Sequence, residues 1–325
     1  MRRREFIAAL SVATMWPLAT RGEQPALPVI GFLHGGSSAQ SADLVTAFQQ
    51  GLKEAGYAEG QNVVIEYRWA DGHFERLPGL AADLVRRPEV AAIATWADPA
   101  AVAAKAATTR IPTVFMSGTD PVKLGLVSSL NKPGANITGV ALLSSSLVPK
   151  QLQLLVELVP TAGTIGLLIN PNNANTEIRL EEMREAARAV ARELFVATVS
   201  SGDELELAFV TTQQRAGALV VPPDPFFTGR RDELIALAAR HALPVGYPFR
   251  EYATSGGLMS YGVSLSDAYR LVGIYCGRIL KGEKAADLPV QQSTKVEFIV
   301  NLKTAKALGI SIPLPLVGRA DEVIE

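Results

Sequence analysis

Short apolar runs of five or six residues alternate along this chain with longer stretches in which apolar positions recur every three or four residues. The runs read as buried strands and the longer stretches as amphipathic helices, so the alternation predicts βα units around parallel sheets. Two segments open alike: Val29-Ile30-Gly31-Phe32-Leu33 begins one and Thr164-Ile165-Gly166-Leu167-Leu168-Ile169 the other. Each leads through a polar turn into a helix, expected over 41–55 with Gly56 as its stop and over 175–194 in the second segment. Val90-Ala91-Ala92-Ile93-Ala94-Thr95 is then answered by Ala216-Gly217-Ala218-Leu219-Val220-Val221, and Ile111-Pro112-Thr113-Val114-Phe115 by Leu243-Pro244-Val245-Gly246-Tyr247. Three landmarks recurring in order predict two copies of one doubly wound βα domain.

The tail carries the pattern further. After Tyr247 come Gly256-Gly257-Leu258-Met259-Ser260-Tyr261-Gly262, a helix expected over 266–280, and Leu288-Pro289-Val290-Gln291-Gln292. If the second domain closes near Phe249, this tail returns to the first domain and crosses back, which makes a hinge with a cleft between two lobes. The expected division puts 1–22 in an export signal, 27–145 with 256–289 in lobe 1, and 146–255 with 290–325 in lobe 2.

The first residues point out of the cytoplasm. Arg3-Arg4-x-Phe6-Ile7 is a twin-arginine pattern running into an apolar stretch over 6–18. That stretch is short of the ~20 residues a membrane helix needs, so cleavage is expected after Gly22, and with no cysteine following it no lipid anchor is expected. A twin-arginine or Sec signal leads to the same compartment, the periplasm.

The whole chain has 31 basic and 32 acidic residues, and removing 1–22 leaves 27 against 31. A mature chain about four charges negative argues against nucleic acid and against an anionic membrane surface as partner. The single cysteine, Cys276, falls in an apolar helical pattern and cannot form an internal disulfide.

Thr119-Asp120-Pro121-Val122-Lys123-Leu124-Gly125-Leu126-Val127-Ser128-Ser129-Leu130, continuing Asn131-Lys132-Pro133-Gly134-Ala135-Asn136-Ile137-Thr138-Gly139, resembles the ABC-transporter substrate-binding proteins of the tryptophan-binding-protein-like group. So does the tail from Gly256 to Glu325, with Ile279-Leu280-Lys281-Gly282-Glu283-Lys284 and Asn301-Leu302-Lys303-Thr304-Ala305-Lys306-Ala307-Leu308-Gly309. The resemblance spans most of the mature chain. It implies an α/β fold of two Rossmann-like doubly wound lobes joined by three crossovers, the type I periplasmic-binding-protein fold, closing over a small ligand. Where the family often carries Gly-Gly this chain has Gly134-Ala135, a change expected to act on turn geometry.

In such a clamp the contacts come from turns at strand ends. Lobe 1 supplies Gly35, Gly36, Ser37 and Ser38, then Thr95, Trp96 and Asp98, then Ser117, Thr119 and Asp120. Lobe 2 supplies Asn170, Asn172 and Asn175, then Asp224 and Phe226, then Tyr247, Phe249 and Arg250, with Tyr261 near the hinge. Hydroxyls and glycine amides suit a carboxylate, Asp120 or Asp224 suits an ammonium, and the aromatics suit an apolar side chain, so the expected ligand is an amino acid, aromatic or branched. Each has a plainer explanation too: Asp120-Pro121 is a good helix start, and aromatics pack cores.

Catalytic motifs are missing: no Gly-x-Ser-x-Gly elbow, phosphate loop, His-Glu-x-x-His or paired cysteines. His34, His73 and His241 are far apart, so neither metal nor cofactor is expected. The expectation is a monomeric receptor, not an enzyme, that delivers a solute to a membrane ABC permease. A periplasmic sensor feeding a signalling receptor and a small-molecule enzyme on the same scaffold stay open as alternatives.

Overall fold

The computed structural model describes residues 27–142, 144–173 and 176–325. The expected export signal and Asn175 lie outside the described residues.

The first lobe runs β1 (Val29–His34), α1 (Ala42–Glu54), β2 (Val64–Trp69), α2 (Leu77–Val85), β3 (Val90–Trp96), α3 (Asp98–Ala107), β4 (Thr113–Ser117) and β5 (Ile137–Leu142). The second runs α4 (Val148–Leu158), β6 (Thr164–Ile169), α5 (Thr176–Ala189), β7 (Glu193–Thr198), α6 (Leu205–Arg215), β8 (Ala218–Val220), α7 (Pro225–Thr228), α8 (Arg231–Arg240), β9 (Val245–Tyr247), α9 (Arg250–Thr254) and β10 (Met259–Val263). The tail adds α10 (Leu265–Leu280), β11 (Gln291–Ser293), β12 (Val296–Asn301), α11 (Leu302–Ala307), α12 (Leu314–Val317) and β13 (Glu322–Ile324).

The sheet orders show the duplication. The first sheet is β2-β1-β3-β4-β5-β11 and the second β7-β6-β8-β9-β10-β12-β13, so the same doubly wound order of five parallel strands occurs twice. The tail then extends each sheet: β11 lies parallel to β5, and β12 runs antiparallel to β10. Three connections therefore pass between the lobes, from β5 to α4, from β10 to α10 and from β11 to β12.

Two boundaries move from their expected places. Residues 259–263 were expected in lobe 1, yet β10 is the fifth strand of the second sheet, the counterpart of β5, and that sheet is incomplete without it. Gln291 and Gln292 were expected in lobe 2, yet β11 pairs with Val140 and Ala141 of lobe 1. The second-segment helix ends at Ala189 rather than Leu194, because Glu193–Thr198 is rich in β-branched and aromatic residues and pairs with β6.

The returning helix α10 lies along α1 at close range. A Cβ on Gly51 would overlap the Arg270 carbonyl, and one on Gly273 would overlap the Phe48 carbonyl, so glycine is what lets the two backbones approach. Ser264 caps α10, accepting from the Asp267 amide at 3.4 Å. Cys276 is buried inside it, and burial pushes its thiol pKa up.

Candidate functional site

The strand order reverses between β1 and β3, and again between β6 and β8, so the turns that follow these strands open onto a crevice. In lobe 1 the parallel register places His34, Trp69 and Trp96 side by side on the last rung, with Phe32 and Tyr67 one step further in on the same face. Phe32 stacks on Trp96 at 3.7 Å, His34 lies 4.8 Å from Trp69, and Tyr269 of α10 covers Trp96 at 5.0 Å. Trp96 is buried, and its indole Nε1 has no hydrogen-bond partner among the described residues.

His34 organises this wall. The Gly36 amide donates to His34 Nδ1 at 2.7 Å, which makes that nitrogen the lone-pair acceptor. The ring proton then resides on Nε2 and is donated to the Tyr269 hydroxyl oxygen at 2.8 Å, leaving Tyr269 with its own hydrogen to give. Burial pulls the imidazole pKa down to about 3, so the ring is neutral at physiological pH.

The other strand ends of lobe 1 differ from their expected roles. Asp98, at the start of α3, accepts from the Gly118 amide at 3.1 Å and from the Thr119 hydroxyl at 2.5 Å, and its Oδ1 lies 2.6 Å from Ser117 Oγ. The polar groups of Ser117 and Thr119, expected to face a ligand, thus hold Asp98 in place. Asp120 is exposed and accepts from the Val122 and Lys123 amides at 2.9 and 3.3 Å, the geometry of a cap. Thr95 is buried on the opposite face of the sheet from Trp96. Gly35, Gly36 and Ser37 form the turn after β1, while Ser38 is exposed.

In lobe 2, Asp224 is buried and caps α7, its Oδ1 accepting from the Phe226 amide at 2.8 Å. Asn170 approaches the same oxygen at 3.4 Å and Asn173 donates to Oδ2 at 2.6 Å. Arg179 of α5 is buried within reach of the Asp224 charge; burial lowers its pKa and Asp224 opposes that. Asn172 is exposed, its amide donating to Asn170 Oδ1. Phe226 lies under the Arg230 guanidinium at 4.0 Å, and Phe249 is buried at the start of α9.

Tyr247 is fully buried, and its hydroxyl has no hydrogen-bond partner among the described residues. Its ring stacks on Tyr252 at 4.7 Å inside lobe 2 and borders a cavity of about 20 Å³ with Ile235, Leu243 and Leu308. Tyr261 is half-buried and packs edge-on to Phe298. Arg250 is bound to Glu297 and Glu322 at 3.3 and 2.5 Å, a structural tie between α9, β12 and β13.

The next residue, Glu251, was missed. It sits on the first turn of α9 beyond the end of β9, and its Oε2 is shut off from solvent with no hydrogen-bond partner among the described residues. Burial raises its pKa to about 7. Its charge is felt by Tyr269, so the two lobes meet here. They also meet where Gln40 Nε2 reaches the Gly229 carbonyl at 3.5 Å. One cluster of buried side chains runs from Phe32 and Trp96 through Phe227, Phe249 and Tyr252. Trp69 was legible as a strand-end aromatic; Tyr269 and Glu251 carried no such signal.

Outside the crevice, an apolar groove of about 610 Å³ lies between α2 and α3, lined by Phe74, Leu77, Pro99 and Val102 among others. Among the described residues no helix is long and apolar enough to cross a membrane, and no group of three or more His, Cys, Asp or Glu side chains could hold a metal ion.

Residues 29–324 match the family described as ABC transporter substrate binding protein. The chain is 28% identical over 263 residues to the tyrosine-binding protein of Clostridioides difficile strain R20291, covering 80% of this chain and 75% of that one. It is similar to the crystal structure of an ABC domain in complex with L-Trp from Streptococcus pneumoniae, at TM-score 0.80 and 27% identity, over 92% of this chain and 100% of that one. It is also similar to the ligand-free, open structure of a substrate-binding protein with adhesive properties from Clostridium difficile, at TM-score 0.68 and 25% identity, over 92% and 99% of the two chains. Two duplicated doubly wound lobes, three crossings and a family match over nearly the whole described chain lead to one conclusion: this protein belongs to the ABC transporter substrate-binding protein family.

Proposed function

We propose that the protein captures a free amino acid with a large apolar side chain, aromatic in the first instance, between its lobes and presents it to an ABC permease. The observation that carries this reading is the set of strand-end aromatics, His34, Trp69 and Trp96 with Tyr269 against them, in the same cluster of side chains as Phe226 and Phe249 of the second lobe, with the Glu251 charge bearing on Tyr269. Flat apolar faces suit a ring or a branched chain, and buried polar atoms without partners suit a zwitterionic head that would satisfy them. The relatives bearing tyrosine in their name or L-Trp in their structure support the same class. The fold also superposes better on the L-Trp-bound relative than on the open one, which fits lobes drawn together.

The finer parts of the reading are that the chain is exported by the twin-arginine pattern at Arg3-Arg4, acts in the periplasm as a monomer, and docks transiently on its permease. A solute carrier of this kind binds one ligand and releases it unchanged.

Two of the chain's three tryptophans, Trp69 and Trp96, belong to the aromatic wall, and the third, Trp16, lies in the expected signal. Intrinsic fluorescence of the protein lacking residues 1–22 therefore reports on the crevice. Titration with L-tyrosine, L-phenylalanine, L-isoleucine and L-leucine, with calorimetry for L-tryptophan, is expected to show one saturable site. No signal and no heat from any of them would sink the amino-acid reading.

A further inference from the structure

An ammonium group entering the crevice needs an acceptor that is buried and uncommitted. Three of the acidic residues at the strand ends fail that requirement. Asp98 is engaged by Ser117, Gly118 and Thr119, and Asp224 by Asn170, Asn173 and the Phe226 amide. Asp120 is exposed and engaged as a cap. Glu251 meets it with one oxygen: its own backbone amide bonds the carboxylate, yet Oε2 is closed off from water and takes no hydrogen bond among the described residues, whereas Glu297, whose Oε2 is likewise unpartnered, is already tied to Arg250 and Lys295.

Its position is as informative as that free oxygen. Glu251 follows β9 at the carboxyl edge of the second sheet, the edge from which doubly wound folds present ligand contacts. From the first lobe's side the Glu251 charge bears on Tyr269 of α10, whose oxygen is occupied by the His34 Nε2–H and whose hydroxyl hydrogen is therefore aimed away from His34 and left to donate. An acceptor from one lobe and a donor from the other bracket the head of a zwitterion.

We propose that Glu251 receives the α-ammonium of the bound amino acid while the Tyr269 hydroxyl donates to its carboxylate, so that each lobe holds one end of the zwitterion. The assignment rests on the amino-acid reading above and deepens it. The charges facing Glu251 are Arg250 on its own helix, Arg231 on α8 and Glu297 on β12, with Tyr252 and Tyr269 as titratable neighbours. Arg250 is already bound to Glu297 and Glu322, and Arg231 lies 3.0 Å from Asp232, so both cations have other carboxylates. In the empty protein burial leaves Glu251 about half protonated near neutrality, and an arriving ammonium would drive that proton off.

The test uses the protein lacking residues 1–22, titrated calorimetrically with L-tryptophan, L-tyrosine and L-isoleucine. For whichever binds, Glu251→Gln, which keeps the side-chain shape, is expected to weaken affinity by about 30-fold or more. The same substitution should leave binding of the deaminated carboxylic acid analogue within about twofold. Tyr269→Phe should show the mirror pattern, losing affinity for the amino acid and sparing the decarboxylated amine. Wild-type binding at pH 7, compared between buffers of different ionisation enthalpy, should release roughly half a proton, falling toward zero at pH 8. This second readout applies even if Glu251→Gln fails to fold. An amino acid that binds wild type with Glu251→Gln within twofold, or with no proton released, overturns the Glu251 assignment and leaves the receptor reading standing. Binding of none of the three overturns both.

Discussion

The contact between α1 and α10 is where the fold and the crevice are most tightly coupled, and Gly273→Ala probes it. The added methyl would overlap the Phe48 carbonyl oxygen and stand 2.8 Å from the Leu52 amide nitrogen. Both are helix backbone, which cannot swing aside as a side chain can, so the helices must part by roughly 1 Å to restore van der Waals distance. Overpacking of this kind costs about 1–3 kcal/mol, and replacing a mid-helix glycine by alanine returns about 1 kcal/mol of helix propensity. Because the overlap is with backbone, the cost lies in the upper part of that range, about 2–3 kcal/mol, and the expected net destabilisation is about 1–2 kcal/mol, or a Tm lower by about 2–8 °C for a chain of this size. Tyr269 lies one turn earlier on α10, so the displacement also moves its hydroxyl from His34 and should weaken ligand binding. Thermal and urea unfolding followed by tryptophan fluorescence give the stability, and titration with the bound amino acid gives the affinity. Gly51→Ala should behave alike, since its Cβ would overlap the Arg270 carbonyl of the same contact, and the double variant should lose less than the two single losses together. A Gly273→Ala protein as stable as wild type, or losses that simply add, would refute a backbone contact this close.

The ligand-free protein should show opposing pH effects from two groups. His34 is a base whose pKa is lowered to about 3 by burial, so the unfolded chain binds its proton more readily, and the stability it contributes is present above about 6.5 and lost as pH falls toward 3; His34→Gln should flatten that acid limb in pH-dependent urea unfolding. Glu251 is an acid whose pKa is raised to about 7 by burial, so the stability it contributes is present below about 4.5 and lost as pH rises through 7; Glu251→Gln should be the more stable protein at pH 8, and an unchanged difference from pH 5 to pH 8 would contradict the assignment. Ala135 holds a backbone φ of +53° beside Gly134 at +71°, a conformation that favours glycine, so Ala135→Gly should raise stability by up to about 1 kcal/mol in thermal unfolding, and a loss would mean that the turn relaxes without strain.

Local pattern carried much of this molecule. Strand runs such as Val29–His34 and Thr164–Ile169, the helix stop at Gly56 and the cap at Asp120 all follow from neighbours within a few residues, where periodicity and capping chemistry act. The duplication was legible for the same reason, because each copy repeats the same short-range signals in the same order. Even the aromatic wall was half written in the chain, since His34 and Trp96 end their strands, although only the parallel register sets Trp69 beside them.

What no stretch of sequence could decide is which distant segments share a surface. The second sheet needs a fifth strand, so β10 joins it and the return to lobe 1 begins only with α10, later than the composition of the tail suggests. That return carries Tyr269 to His34 across 235 positions of chain and fixes which hydroxyl keeps a hydrogen to donate. Carboxylates alike in the sequence were sorted by burial and by partners from other strands: Asp120 by solvent and two amides, Asp98 and Asp224 by neighbouring turns, and Glu251 by the absence of any hydrogen-bonding partner for its buried oxygen among the described residues. Composition and periodicity act along the chain and determined the elements; desolvation and hydrogen bonding act through space, and only the folded lobes could decide which side chains remain free to meet a ligand.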